Sequence, residues 1–426
     1  MPLGSQISPR LHAWGAKRGP IVMTTPEFAD AVKKGLGRAI LAVDGHVSEE
    51  FANVVIHACM VDQRYDKWSE HGRAHYLMCL AEKAKLSGKL LPLLLAPLEE
   101  DDGPREKRLR KFMLGEFARR GEQRSWDILK QLAVNSDDVT WEVIADIGPT
   151  GLEWLSKNVV GQLPIDEKYR IKYWKEDCAG DLTSMTEDIL NKAIKDFEKY
   201  QSNQPQYSPY EVPRTLDEAL DEIKSKKSRL GSLHWIGKRL NHDEVVTVAN
   251  LWLNERDVRI GGCYAKLFDV RSFPLPIHFV ADRVLASIPP IDFEDVLSVV
   301  NDPICRQLGL HLIRQSRPDW RGYACLVSSY LEEDIPYLMD SPKNFVGLGD
   351  DDLHNLCSAL RHICNEIPPT LREPALLWNY ENNPCSFCRT TIVEMMIEDG
   401  SLSDYHRREL EFDASSDSRQ LVAKQA

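Results

Sequence analysis

The sequence predicts an all-α fold of stacked helical repeats, an α-α superhelix, on three observations. Apolar residues at helical spacing run through nearly the whole of the 426 residues, while strand signals are scarce. In the C-terminal half, Asn301-Asp302-Pro303 and Asn382-Asn383-Pro384 each open an apolar run and each is soon followed by Cys-Arg. Asp340-Ser341-Pro342 lies between them, so three prolines fall 39 (342 − 303) and 42 (384 − 342) residues apart. That spacing is close to the roughly 40–47 residues of known two- and three-helix repeat units.

The elements follow in chain order. Residues 1–22 hold Gly4, Pro9, Gly15, Gly19 and Pro20 and read as a disordered leader or tag, with the structured chain expected from Met23. Thr25 is a candidate N-cap with Pro26 at the first helical position, and one or two short helices around Gly35-Leu36-Gly37 extend to Val43. Ser48 caps a helix carrying Phe51, Val54, Val55 and Ala58; another runs from about Ser69 to Lys85. Helical runs follow at 105–120, 122–134, 139–146, 150–159 and 183–200, completing an N-terminal helical domain over 23–200. Residues 201–213, with three prolines and few apolar side chains, read as a linker. Beyond it, Thr215 and Glu218 form a capping-box pattern that starts the C-terminal repeats, 214–426. Between residues 352 and 365, Leu353, Leu356, Cys357, Leu360, Ile363 and Cys364 make one apolar stripe, whereas Lys343 to Asp350 reads as a loop. Asp-x-Arg recurs at Asp257, Asp319 and Asp417, where the aspartate suits a helix start and the arginine can pair with an acid of the next repeat.

Composition excludes several classes of function. With 43% hydrophobic, 28% charged and 8% aromatic residues the chain has the composition of a folded protein, not of a disordered or disulfide-built one. The net charge of −12 is uneven: residues 1–213 carry 29 basic and 32 acidic side chains, and residues 214–426 carry 24 and 33. An acidic surface repels phosphate backbones, which argues against a nucleic-acid groove in the second half. The most apolar stretch, Leu90 to Leu98, is short and broken by Pro92 and Pro97, so no membrane span is expected. Ten cysteines lying mostly in helical apolar patterns suit a reducing compartment, and the protein is read as cytoplasmic.

Two stretches carry a resemblance. Leu376-Leu377-Trp378-Asn379-Tyr380-Glu381, Pro384-Cys385-Ser386-Phe387-Cys388-Arg389 and Arg419-Gln420-Leu421-Val422, together with Gly35-Leu36-Gly37-Arg38-Ala39 through Glu70-His71-Gly72-Arg73-Ala74-His75-Tyr76-Leu77, resemble bacterial HEAT-like repeat proteins. The resemblance covers about a quarter of the chain in its motifs. It implies a HEAT-like solenoid and supplies no catalytic residue.

Candidate functional residues fall into two groups. Asp62, Tyr65, Asp66, Glu70, Arg73 and Tyr76, with His71 and His75 among them, form the richest polar cluster; a buried network joining the first helices gives the same signature as an active site and is the preferred reading. Arg105, Lys107, Arg108, Arg110 and Lys111 form the best basic patch, although such runs are usually solvated helix faces. Cys385-x-x-Cys388, taken with Cys357, Cys364, His354 and His362, has zinc or redox residue types, but its spacing fits core thiols better, and no metal site is assigned. His234 beside Trp235 reads as part of a turn, and most of the ten tryptophans as core. Phosphate-loop, nucleotide-fold, nucleophile-elbow, zinc-protease and calcium-loop motifs are absent. The expectation is a non-enzymatic scaffold that binds a protein partner without a cofactor. The alternative is a nucleic-acid enzyme resembling HEAT-like DNA glycosylases and using the N-terminal half.

Overall fold

A computed structural model describes residues 21–425 apart from 44, 46, 66–71, 97–102, 135–137, 177, 179–180, 204–214, 226–232, 234–235 and 269–272. Among the described residues every regular element is helical, and the protein is all-α. The helices are α1 (Thr25–Lys34), α2 (Arg38–Leu41), α3 (Glu49–Met60), α4 (Arg73–Lys83), α5 (Ser87–Leu95), α6 (Pro104–Arg119), α7 (Gln123–Val134), α8 (Asp138–Asp146), α9 (Pro149–Asn158), α10 (Tyr169–Glu176) and α11 (Ser184–Asn203). They continue with α12 (Leu216–Lys224), α13 (His242–Asn254), α14 (Val258–Ala265), α15 (His278–Leu285), α16 (Phe293–Leu297), α17 (Pro303–Ile313), α18 (Arg321–Leu326), α19 (Ile335–Asp340), α20 (Asp350–Glu366), α21 (Pro369–Asn382), α22 (Ser386–Glu398), α23 (Asp404–Leu410) and α24 (Ser416–Ala423).

Local chemistry sets many of these starts. Thr24, one residue before the expected cap, closes a reciprocal capping box with Glu27, because only Thr24 stands three residues from that glutamate. Ser48, Thr215, Asp257 and Asp302 each accept a backbone N–H of the first turn they precede, as their positions predict. Helix α5 forms despite Pro92, which the apolar-run reading treats as a break. Five of the six residues expected as one stripe of α20 are fully buried, Leu356, Cys357, Leu360, Ile363 and Cys364, and Leu353 is half-buried. The linker at 201–213 is helical as far as Asn203 and otherwise lies outside the described residues, as do residues 1–20 of the leader and His234 with Trp235.

The described chain falls into two compact units. The first holds residues 21–203, 385–387 and 403–425; the second holds 215–384 and 388–402. Residues 403–425, grouped with the C-terminal repeats on sequence, thus cluster with the N-terminal helices. Within each unit the helices alternate between two series. In the first, α2 packs on α4, α4 on α6, α6 on α8 and α8 on α10, while α1 packs on α3, α3 on α5 and α9 on α11. In the second, α14 packs on α16, α16 on α18 and α18 on α20, while α15 packs on α17 and α19 on α21.

The starts of these helices correct the sequence spacing. In the first unit one series begins at residues 38, 73, 104, 138 and 169, and in the second unit its counterpart begins at 258, 293, 321 and 350, so successive starts lie 28–35 residues apart, a mean of about 33 ((169 − 38)/4) in the first and about 31 ((350 − 258)/3) in the second. The proline spacing of 39 and 42 is not this repeat. Pro303 opens α17, Pro342 sits in the 3-10 turn Ser341–Asn344, and Asn383 caps the end of α21 ahead of Pro384. Proline suits a helix start, a turn and a helix exit alike, so its recurrence reports chain breaks and not equivalent positions.

The expected Asp-x-Arg ladder is corrected at two of its three positions. Arg321 folds back onto its own Asp319, with N–O separations of 2.5–3.0 Å, and Arg419 donates to the backbone of Asp413 and Ala414. Contacts between successive helix pairs come from other arginines. Arg306 reaches Asp334 at 2.7 Å and Arg372 reaches Asp399 at 2.6 Å, pairs 28 and 27 residues apart.

Candidate functional site

The polar cluster near residues 62–76 becomes a junction inside the first unit, built from α1, α2, α4, α23 and the turn after α23. Helix α1 ends at Gly35, whose φ of +73° supplies the left-handed exit that a side-chain-bearing residue resists. Arg73 then donates from Nη1 to the Val32 and Lys33 carbonyls at 2.8 and 3.0 Å. A cation on the last turn satisfies orphan carbonyls and meets the negative end of the helix dipole. The Arg73 guanidinium also lies 5.7 Å from the Tyr76 ring centre, and the Tyr76 hydroxyl donates to Leu36 O at 3.0 Å. Asp62 forms a buried ion pair with Arg64 at 2.7 Å. Burial alone raises the Asp62 carboxyl, but the hydrogen bonds and charge of Arg64, with Arg73 behind it, bring it below its ordinary range.

Glu409 completes the junction. Its carboxylate receives Arg38 in two parallel bonds, Nε to Oε1 at 2.7 Å and Nη2 to Oε2 at 3.1 Å, and its side chain is fully buried. Ala414 N–H donates to Gly35 O at 2.9 Å. A Cβ on Gly37 would lie 1.9 Å from Glu409 O, and one on Gly72 would lie 2.2 Å from Ala414 O. The glycines are therefore close-approach positions. Gly37→Ala is expected to cost about 1–3 kcal/mol through forced displacement of α23, measurable by urea unfolding.

The structure thus brings Asp62, Arg73 and Tyr76 into a fixed frame. Tyr65 is half-buried, and Asp66 and Glu70 lie outside the described residues, as does His71. Arg38, Glu409 and Ala414 are the members that sequence reasoning missed; Arg38 and Glu409 are 371 residues apart in the chain. The arrangement holds helices in register. Among the described residues, the donors of Arg38, Arg73 and Tyr76 face carbonyls and a carboxylate of the fold itself.

The basic patch disperses. Arg110 turns inward and donates from Nε to Leu94 O at 2.8 Å, whereas Arg105 is exposed and Lys107, Arg108 and Lys111 are half-buried on the same helix α6. Arg119 and Arg120, at the end of α6, are bound to Glu116, to Glu82 and to the Asp146 carbonyl. The run reads as basic along the sequence because a helix turns successive residues to different sides. None of the described tryptophans is exposed; Trp252 is fully buried and donates to Ile291 O at 2.7 Å.

Of the grouped thiols and imidazoles, Cys357 and Cys364 are core residues of α20, and burial pushes the Cys364 thiol up to about 12. In the second unit His354 Nε2 lies 3.3 Å from Cys388 Sγ; Cys385 is buried and clusters with the first unit.

A different constellation emerges on α4 and α6. His75 and Cys79 are four residues apart on α4, with Cys79 Sγ 3.5 Å from His75 Nε2, while His75 Nδ1 lies 3.2 Å from Glu116 Oε2 on α6. The hydrogen bond to Cys79 and that to Glu116 push the His75 imidazole up to about 9. Burial raises Glu116, but the hydrogen bond from His75 and the charges and bonds of Arg119 and Arg120 pull it down to about 2.

Among the described residues no helix is long and apolar enough to cross a membrane. No protein-family model, curated protein or solved structure matches this chain.

Proposed function

We propose that the chain is a HEAT-like α-solenoid scaffold of the cytoplasm that binds a protein partner and carries out no chemistry of its own for that role. The observation that supports this reading is an outward stripe on α13 and α15 in the second unit. Thr247, Asn250, Leu251 and Asn254 recur at helical spacing along a shallow depression of 580 Å³ that also meets Glu255. The amides of Asn250 and Asn254 donate to carbonyls four residues back on α13, and Asn254 Oδ1 accepts from Arg283 of α15 at 2.9 Å. Leu251 is 38% exposed and Phe279, one turn before Arg283, is 46% exposed. Apolar anchors on α13 and α15 beside the fixed amides of α13 suit a protein surface, and an acidic second half favours a basic or neutral one over a phosphate backbone.

The full chain, immobilised and exposed to native lysate with and without nuclease, tests the reading. Expected is a protein partner retained after nuclease, with recovery lowered at least about tenfold by Leu251→Glu combined with Phe279→Glu. Recovery of nucleic acid alone would sink the protein-scaffold reading.

A further inference from the structure

We propose that Cys79, His75 and Glu116 form a reactive thiol site at which Cys79 is modified by small disulfide-bearing molecules. Helix spacing puts the thiol and the ring on one face of α4. The ring then has a thiol at one nitrogen, 3.5 Å away, and a carboxylate at the other, 3.2 Å away. In this order imidazole takes the thiol proton and the carboxylate holds the resulting imidazolium, the logic shared by activated cysteine and serine nucleophiles.

The carboxylate is itself fixed. Glu116 is 6% exposed in its side chain and is bound by Arg119 and, at 2.5 Å, by Arg120, which also holds Glu82 of α4. Glu116 and the thiol are the charged and titratable groups acting on the ring, with the two arginines of α6 behind them. Access is present as well. The His75 side chain is 45% exposed and Cys79 is half-buried, whereas seven of the ten cysteines are buried. Burial pushes Cys59 and Cys305 up to about 12, which keeps those thiols protonated and inert.

The reaction is thiol-disulfide exchange. The Cys79 thiolate attacks one sulfur of R–S–S–R, a new Sγ–S bond forms as the old S–S bond breaks, and the departing thiolate takes the proton held on His75. One disulfide and one thiol give one mixed disulfide and one thiol, with no other oxidant. The site belongs to the first unit and the α13 and α15 stripe to the second, so a modified Cys79 adds a redox-responsive group to the N-terminal helices.

The test uses the full chain, dithiodipyridine as the disulfide, and peptide-resolved mass spectrometry from about pH 5.5 to about pH 9. Cys178, half-buried and raised by burial, is the internal reference. Expected is labelling of Cys79 at least about tenfold faster than Cys178 near pH 6.5, with His75→Gln removing most of that advantage and leaving Cys178 unchanged. His75 is exposed enough for His75→Gln to fold, which circular dichroism checks; Glu116→Gln is a second variant expected to weaken the effect. A Cys79 rate that follows Cys178 across the range, or that is the same in folded His75→Gln, would overturn the proposal.

Discussion

Glu409→Gln is expected to destabilise the first unit by about 3–5 kcal/mol, the loss typical of breaking a fully buried ion pair from one side. The neutral amide cannot accept both donors, so Arg38, only 8% exposed, keeps its charge without an equivalent partner. Desolvation of that charge, more than the loss of attraction, sets the size of the effect. Replacing both partners by apolar residues of similar length, Arg38→Met with Glu409→Leu, is expected to recover most of the loss. Urea unfolding with amide exchange read on α2 and α23 measures it. A loss below about 1 kcal/mol in the single variant would show that the pair is hydrated in solution and that the clasp is not what holds α23 in place.

Trp252→Ala is expected to cost the second unit about 3–5 kcal/mol. Among the described residues Trp252 is the largest fully buried side chain, in a core that includes Phe268, Phe273, Val280, Phe293 and Leu297. Its ring meets Phe268 and Phe273 edge-on at 6.0 and 5.4 Å, and its indole N–H donates to Ile291 O. Truncation leaves a cavity and strips the part-buried Ile291 carbonyl of its donor at once. Trp252→Phe, which fills most of the volume without restoring the bond, is expected to lie between the two. Equal stability of Trp252→Phe and Trp252→Ala would assign the whole effect to the hydrogen bond and overturn the packing account.

These two positions show how the fold was encoded. Trp252 stands in an apolar pattern whose helical period is visible along the chain, so its burial follows from sequence alone. Glu409 stands in Arg407-Arg408-Glu409-Leu410-Glu411, where a solvated helix face is the natural reading. Only the return of the chain past α2 makes it the most enclosed carboxylate of the junction. The same holds for His75 and Cys79. Their spacing of four was legible on α4, but Glu116, 41 residues later, gives the pair its meaning.

The sequence by itself determined the helical class, most helix starts and the apolar face of each helix, because capping and amphipathic periodicity act over a few residues. It misjudged the helix spacing, since proline marks local breaks wherever they fall and the starts of helices packed in series lie 28–35 residues apart. Tertiary structure alone decided which polar groups meet. Arg38 with Glu409, and Cys79 and His75 with Glu116, depend on which helices pack side by side, and that is fixed by the sum of many apolar contacts that no short motif records.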